Sequence, residues 1–395
     1  MPRTNPPQRI TKNGNPFPTG VFKRTLWLFL AVCLTLGTRA QQNRAQRIDS
    51  LMDELVKEQS GSAEFAPGIF PSYRYRPATK QAYPDDNIFF SGLIAMRLMR
   101  HAALLPAASK KKAETVLYGV RKASAAYANK YGRISYNFWQ TQPVRQFPGD
   151  PELSRRTRYH IPDDADDSAI LLWVNRKSRD EARALQSMMA ENVPGQKRNI
   201  RNTLRRFHDL PAYSTWLGDR MPPEFDFCLM ANILYVFSEY RLSYTPHEWA
   251  TITFLRESFL AGYTEKRPHR VSPQYKTEAA CLYHLAFLLS AHEIPGLDEL
   301  KPALAQRMKD RLPAAVTRGE ALLLASGLSY LGQKLPEGFR LPAENAPFAF
   351  FYANLASVVP NPFQGALSKS RRLNYPYRCK AWETMLELEI ELLRP

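Results

Sequence analysis

From residue 41 onward, apolar residues recur three and four positions apart with few interruptions, the spacing that lines one face of a helix. The stripe Ile48, Leu51, Met52 and Leu55 predicts a first helix over residues 43–58. A Pro- and Tyr-rich stretch follows from Phe65 to Tyr83, broken at Pro67, Pro71 and Pro77, and reads as irregular. Beyond it the pattern settles into pairs, each a nearly all-apolar helix followed by an amphipathic one: 85–105 with 109–130, 163–174 with 179–192, 223–240 with 246–263, and 275–292 with 297–312. Residues 317–331 and 379–393 supply further apolar members, with the apolar stretch 348–358 between them.

A helix that is apolar all round has to be covered on every side, whereas its amphipathic neighbour has one face for solvent. The repeated pairing therefore predicts an all-α fold, an α/α toroid of helical hairpins with the apolar helices inside, including 86–104, 164–174, 225–237 and 277–289. A closed ring is expected over an open superhelix, because the apolar helices carry little polar surface with which to line a groove. The first two inner helices share a lead-in, Tyr-Pro-Asp-Asp at 83–86 and Ile-Pro-Asp-Asp at 161–164, so acidic helix starts should gather around one end of the ring.

Residues 1–40 break the pattern. Lys23 and Arg24 precede an apolar run from Leu26 to Leu36, then Gly37-Thr38-Arg39-Ala40, which is the layout of a secretory signal peptide cleaved near Ala40. The expected organisation is a signal peptide over 1–40, an N-terminal helix and irregular segment over 41–84, and the toroid over 85–395, with the mature protein periplasmic or secreted. Cleavage removes six basic residues and no acids, lowering the formal charge from +17 to +11. The remaining positive charge suits peripheral contact with an anionic membrane or envelope surface. Nucleic acid is not expected as a partner, because Lys and Arg are spread along the chain and form no recognised nucleic-acid motif. Cys228, Cys281 and Cys379 lie in apolar helical runs and have no zinc-site spacing.

The chemistry concentrates in Tyr159–Val174, where Asp163, Asp164, Asp166 and Asp167 open directly into an apolar run. One or two acids serve as helix caps; four crowded together should raise the pKa of at least one. Asp163, directly after Pro162, is the expected N-cap, which leaves Asp164, Asp166 and Asp167 as the candidate catalytic residues. Tyr136, Phe138 and Trp139 upstream, Trp216 and Asp226 at the next inner helix, and Tyr275 at the one after it are the candidate ligand-binding residues.

Asp164-Ala165-Asp166-Asp167-Ser168-Ala169 resembles the DxDD(T/S)A element of class II terpene cyclases, and the hairpin pattern over 85–393 is similar to the terpenoid cyclase and protein prenyltransferase fold. The resemblance implies that Asp166 is a general acid protonating an alkene, with Asp164 and Asp167 orienting it. Asp163, Asp164 and Asp167 also spell DDxxD, the magnesium-binding element of class I synthases, but no partnering Asn/Ser/Glu motif accompanies it, so neither a metal nor a cofactor is expected.

Export and a single domain depart from that family and leave three functions open. The leading one is a toroid that binds a lipid, glycan, peptide or other small-molecule ligand. The others are a carbohydrate-active enzyme using a carboxylate pair and a cyclase-like protonation of an isoprenoid by Asp166.

Overall fold

A computed structural model describes residues 41–59, 64–76, 81–343, 348–354, 363 and 374–394. The signal-peptide expectation for residues 1–40 lies outside the described residues, as do residues 355–358 of the apolar stretch. Contacts divide the chain into Met1–Arg47, of which residues 41–47 are helical, and Ile48–Pro395, the unit that carries everything below.

That unit is mostly helical. Its main helices are α1 (residues 48–59 of the helix that starts at 41), α2 (Phe89–His101), α3 (Ala107–Ser124), α4 (Ala165–Val174), α5 (Arg179–Ala190), α6 (Phe227–Glu239), α7 (Pro246–Leu260), α8 (Glu278–Ala291), α9 (Lys301–Arg311), α10 (Arg318–Tyr330) and α11 (Lys380–Leu393). The apolar members behave as their composition demands: α4 is buried along its whole length except at Trp173, and α6 is buried from Phe227 to Phe237. The amphipathic members bury one stripe, such as Ala182, Leu185 and Met189 in α5. Polar sequence also fixes where they begin, through capping boxes at Ser178 with Glu181 and at Thr245 with Glu248.

The buried helices contact one another in a cycle. α2 packs on α4, α4 on α6, α6 on α8, α8 on α10, α10 on α11, and α11 returns to α2. The amphipathic helices lie outside this cycle, α3 against α2 and α4, α5 against α4, α7 against α6, and α9 against α8 and α10. At Gly92 a Cβ would come within 3.1 Å of the Ile170 side chain, so the absence of a side chain lets α2 approach α4 closely. His101 at the end of α2 and Tyr330 at the end of α10 share a 2.8 Å hydrogen bond. At the opposite end, Asp166 in the first turn of α4 meets Asn232 of α6. Phe89, Asp166 and Leu229, in the first turns of α2, α4 and α6, and Tyr275, just before α8, border one cavity, so these four helices begin at one end.

Between the two ends the core holds a buried ionic group. Glu389 accepts hydrogen bonds from Tyr283, Tyr330 and Ser326, and Arg97 Nε lies 3.5 Å from its carboxylate. The Arg97 guanidinium sits 3.2 Å from the centroid of the Phe287 ring.

Two stretches depart from the helical and irregular expectations. β1 (Tyr73–Arg76) and β2 (Gln81–Pro84) form within the segment read as irregular, and β5 (Phe351–Asn354) forms in the apolar stretch 348–358; with β6 (Asn374–Arg378) they make an antiparallel sheet in the order β2-β1-β6-β5. The alternation Tyr73-Arg74-Tyr75-Arg76 has the two-residue period of a strand, which the neighbouring prolines obscured. Pro376 is tolerated because β1 pairs with β6 only at Tyr377 and Arg378, which leaves Pro376 paired with Tyr352 alone. A second, two-stranded ribbon joins β3 (Asp163–Asp164) to β4 (Trp216–Leu217).

Candidate functional site

The ribbon sets the acidic stretch in place. Asp164 N donates to Tyr136 O at 3.0 Å and Ala165 N donates to Thr215 O at 2.8 Å, so the chain is extended up to the residue at which α4 starts. Asp164, with β-region backbone angles, is the N-cap: its Oδ1 accepts from the backbone N–H groups of Asp166 and Asp167 at 2.7 and 3.1 Å. The expectation that Asp163 is the cap is corrected. Strand alternation turns Asp163 to the other face of the ribbon, where it accepts from Asn129 Nδ2 and Ser135 Oγ.

The other two acids point inward from the first turn of α4. Asp166 is buried and doubly engaged, Oδ1 accepting from Asn232 Nδ2 at 3.0 Å and Oδ2 from Tyr275 OH at 2.6 Å. Burial raises its pKa to about 6, while the bonds from Tyr275 and Asn232 hold it from rising further. Asp167 is 1% exposed, and its Oδ2 has no hydrogen-bond partner among the described residues. Burial first, then the carboxylates of Asp164 and Asp166, push its pKa well above the usual range. Asp164 is pushed up as well, by burial and by Asp166. Asp164 has two N–H donors and a helix N-terminus to stabilise a negative charge, whereas Asp167 Oδ2 has neither, so of the two Asp167 has the less stabilised charge.

Asp226 caps α6 in the way Asp164 caps α4, accepting from Cys228 N and Leu229 N, and also from Ser272 Oγ and Gln274 N. Burial raises its pKa to about 7 against the pull of those bonds. It stands behind the cluster, tying the loop before α8 to the start of α6.

These groups meet a cavity of about 90 Å³ at the end where α2, α4, α6 and α8 begin. Asp164, Asp166 and Asp167 form its acidic wall, and Phe138, Trp139, Trp216 and Tyr275 its aromatic surface. Those seven were singled out from sequence. Tyr136 does not line the cavity; its hydroxyl accepts from Asn175 Nδ2 at 3.3 Å, and its ring packs in a separate cluster with Ile88, Tyr127 and Leu171. Sequence reasoning missed Phe89, Phe351 and Tyr377, which close the cavity from α2 and the sheet, and Asn232, which positions Asp166. Asn232 had left a signal: a lone amide in the middle of an otherwise apolar helix is retained where it has a partner.

The repeated Pro-Asp-Asp lead-in does not repeat its role. α2 begins after Ile88 with no side-chain cap; Asp85 instead accepts from Trp139 Nε1 at 2.8 Å and Tyr377 OH at 3.2 Å, and Asp86 from Tyr127 OH at 2.8 Å. Asp85 thereby fixes two walls of the cavity without facing it.

The site has an uncharged, aromatic interior and one end able to present a carboxylic O–H. Such an arrangement can hold an apolar group by burial and orient it by a hydrogen bond or a proton. Among the described residues no group of three or more His, Cys, Asp or Glu is placed to hold a metal ion, and no helix is long and apolar enough to cross a membrane. No family model, curated protein or solved structure matches this chain.

Proposed function

We propose that this chain is an exported α/α toroid protein that binds a small, mostly apolar ligand in the acid-ended cavity. The cyclic packing of six buried helices inside four amphipathic ones supports the toroid, and the n-region, apolar run and small-residue cleavage site of residues 1–40 support export. One observation carries the binding reading: the buried Oδ2 of Asp167, without a hydrogen-bond partner among the described residues, at the wall of an aromatic cavity. A buried polar atom without a partner costs on the order of 1–3 kcal/mol, and a ligand that accepts its proton offsets that cost.

Catalysis by protonation is the second reading. Burial and the carboxylates of Asp164 and Asp166 push the Asp167 pKa well above the usual carboxylate range, as a general acid requires, and Asp166, with a pKa of about 6, is a second acid beside it. The glycosidase reading has less support, because Asp164, Asp166 and Asp167 all come from one helix start, whereas glycoside cleavage uses two carboxyl groups flanking the bond.

The test is a thermal-shift series on the mature protein with n-alkanols from butanol to dodecanol and with indole. Stabilisation by at least one probe is expected in the wild type, reduced in Asp167→Asn and lost in Trp216→Ala. No stabilisation by any of these probes overturns the reading.

A further inference from the structure

The ribbon formed by β3 and β4 is a wall with a cavity on each side. Its register pairs Asp163 with Leu217 and Asp164 with Trp216. Successive strand residues face opposite ways. The second pair lines the inner aromatic cavity, and the first lines an open groove of about 260 Å³ on the outer face. Ile161 borders both spaces. The chain after β4 crosses between them as well: Trp216 and Met221 line the inner cavity, while Gly218, Asp219 and Arg220 line the groove. Ile161, Trp216 and Met221 are only half-buried, which places the mouth of the inner cavity at the rim of the groove.

The two spaces differ in chemistry. The inner one is aromatic and small, at about 90 Å³. The groove carries Lys130, Arg133 and Arg220, all exposed, with His160 beside them. Its two acids are committed elsewhere: Asp163 to Asn129 and Ser135, and Asp219 to Lys197 at 3.4 Å. Asp163 keeps its charge, since its donors are neutral, but three cations face it while Asp219 is paired, so the field in the groove is net positive.

We infer that the ligand is a short-chain amphiphile with an anionic head, its apolar end between the aromatic side chains of the inner cavity and its carboxylate or phosphate monoester in the outer groove on Lys130, Arg133 and Arg220. This rests on the binding reading above and adds the head group to it. A chain seated in the cavity has to pass Ile161 and Trp216 to reach the cations.

The experiment compares hexanol, hexanoate, hexyl phosphate and inorganic phosphate by calorimetric titration, on the wild-type mature chain, on the triple variant Lys130→Gln/Arg133→Gln/Arg220→Gln and on Trp216→Ala. All three groove substitutions are at exposed positions, so the triple variant should fold; its melting curve checks this. At least one hexyl anion is expected to bind about tenfold tighter than hexanol in the wild type, a difference that shrinks with added salt and disappears in the triple variant, where hexanol stays within twofold. Which anion is preferred separates carboxylate from phosphate sources. Trp216→Ala should weaken hexanol and the anions alike. Hexanol and both anions binding equally in the wild type, the triple variant keeping the anion preference, or inorganic phosphate binding as tightly as hexyl phosphate each overturns the inference. Hexanol binding with no anion preference leaves the binding reading standing; no binding by any hexyl probe removes both.

Discussion

Tyr275 donates a 2.6 Å hydrogen bond to Asp166, 109 residues earlier in the chain, and so joins the loop before α8 to the first turn of α4. A phenol bonded to a carboxylate favours the charged form of the acid. Tyr275→Phe should therefore raise the Asp166 pKa above about 6. Carboxyl-carbon NMR titration of the variant reads this directly, and an Asp166 pKa that falls or stays fixed contradicts the assignment. Loss of the bond should also cost on the order of 1–2 kcal/mol in a denaturant melt above pH 6.

Asp166 also makes stability depend on pH. Its folded pKa of about 6 lies above the 3.8 of a solvated aspartate, so the folded state holds the proton more tightly than the unfolded chain. That contribution is fully present below pH 3.8 and is lost as pH rises through about 6. The buried histidines act in the opposite direction. His101 and His284 are pushed down to about 3 by burial and then by Arg100 and Arg97 respectively, so they withdraw stability as pH falls below 6.5. The difference between wild type and Asp166→Asn removes the histidine contribution. The wild type's relative stability should decline by roughly 3 kcal/mol between pH 3.5 and 7.5, measured as the change in urea midpoints; a flat difference means that Asp166 titrates normally.

The correction at the helix start gives a contrast between two adjacent aspartates. Asp164→Asn keeps an oxygen for the N–H groups of Asp166 and Asp167, while Asp164→Ala removes it. The Ala change should cost about 1–2 kcal/mol and the Asn change a few tenths. Asp163→Ala should instead disturb Asn129 and Ser135 and shift their amide resonances, leaving the first turn of α4 protected from hydrogen exchange.

Arg97 and Glu389 are both 0% exposed, and Glu389→Leu leaves the guanidinium buried without its carboxylate. The single change should destabilise by roughly 3–5 kcal/mol, and Arg97→Met/Glu389→Leu should recover most of that, because an apolar pair of similar volume avoids the desolvation cost of both ions. Equilibrium denaturation of the four proteins in the cycle gives the coupling energy.

The helical pairing was legible because burial imposes it. A helix covered on all sides has to be apolar all round, and α6 and α8 declare this in their sequences. The helix limits came within a few residues for the same reason. The small sheet was not legible: four- and five-residue strands give too short a window for alternation to stand out beside prolines, and β1 and β6 lie some three hundred residues apart. In the site, the acids stood out because four in five residues is unusual, Trp139 because it belongs to an aromatic run upstream of them, and Trp216 and Tyr275 because they precede helix starts. Phe351 and Tyr377 reach the cavity from the sheet, so they could not be placed before the sheet was known. The sequence pattern puts the cap at Asp163, one residue before the Asp164 that caps α4, and in the extended backbone there one residue is the difference between two faces.

The two-residue ribbon has a consequence for how the protein can change over generations. Asp163 and Asp164 share one peptide bond yet serve separate compartments, so an insertion or deletion of a single residue anywhere between Ile161 and Ala165 would exchange them, putting the Asn129-bound carboxylate inside and the cap outside. A longer strand could absorb such a slip through its remaining pairs; this one has none to spare. Point substitutions can alter the groove and the cavity independently, but length changes in this segment alter both at once. Either lining can therefore be varied alone by replacing side chains along the rim, in Arg220 or Met221 for example, and not by changing the length of the wall.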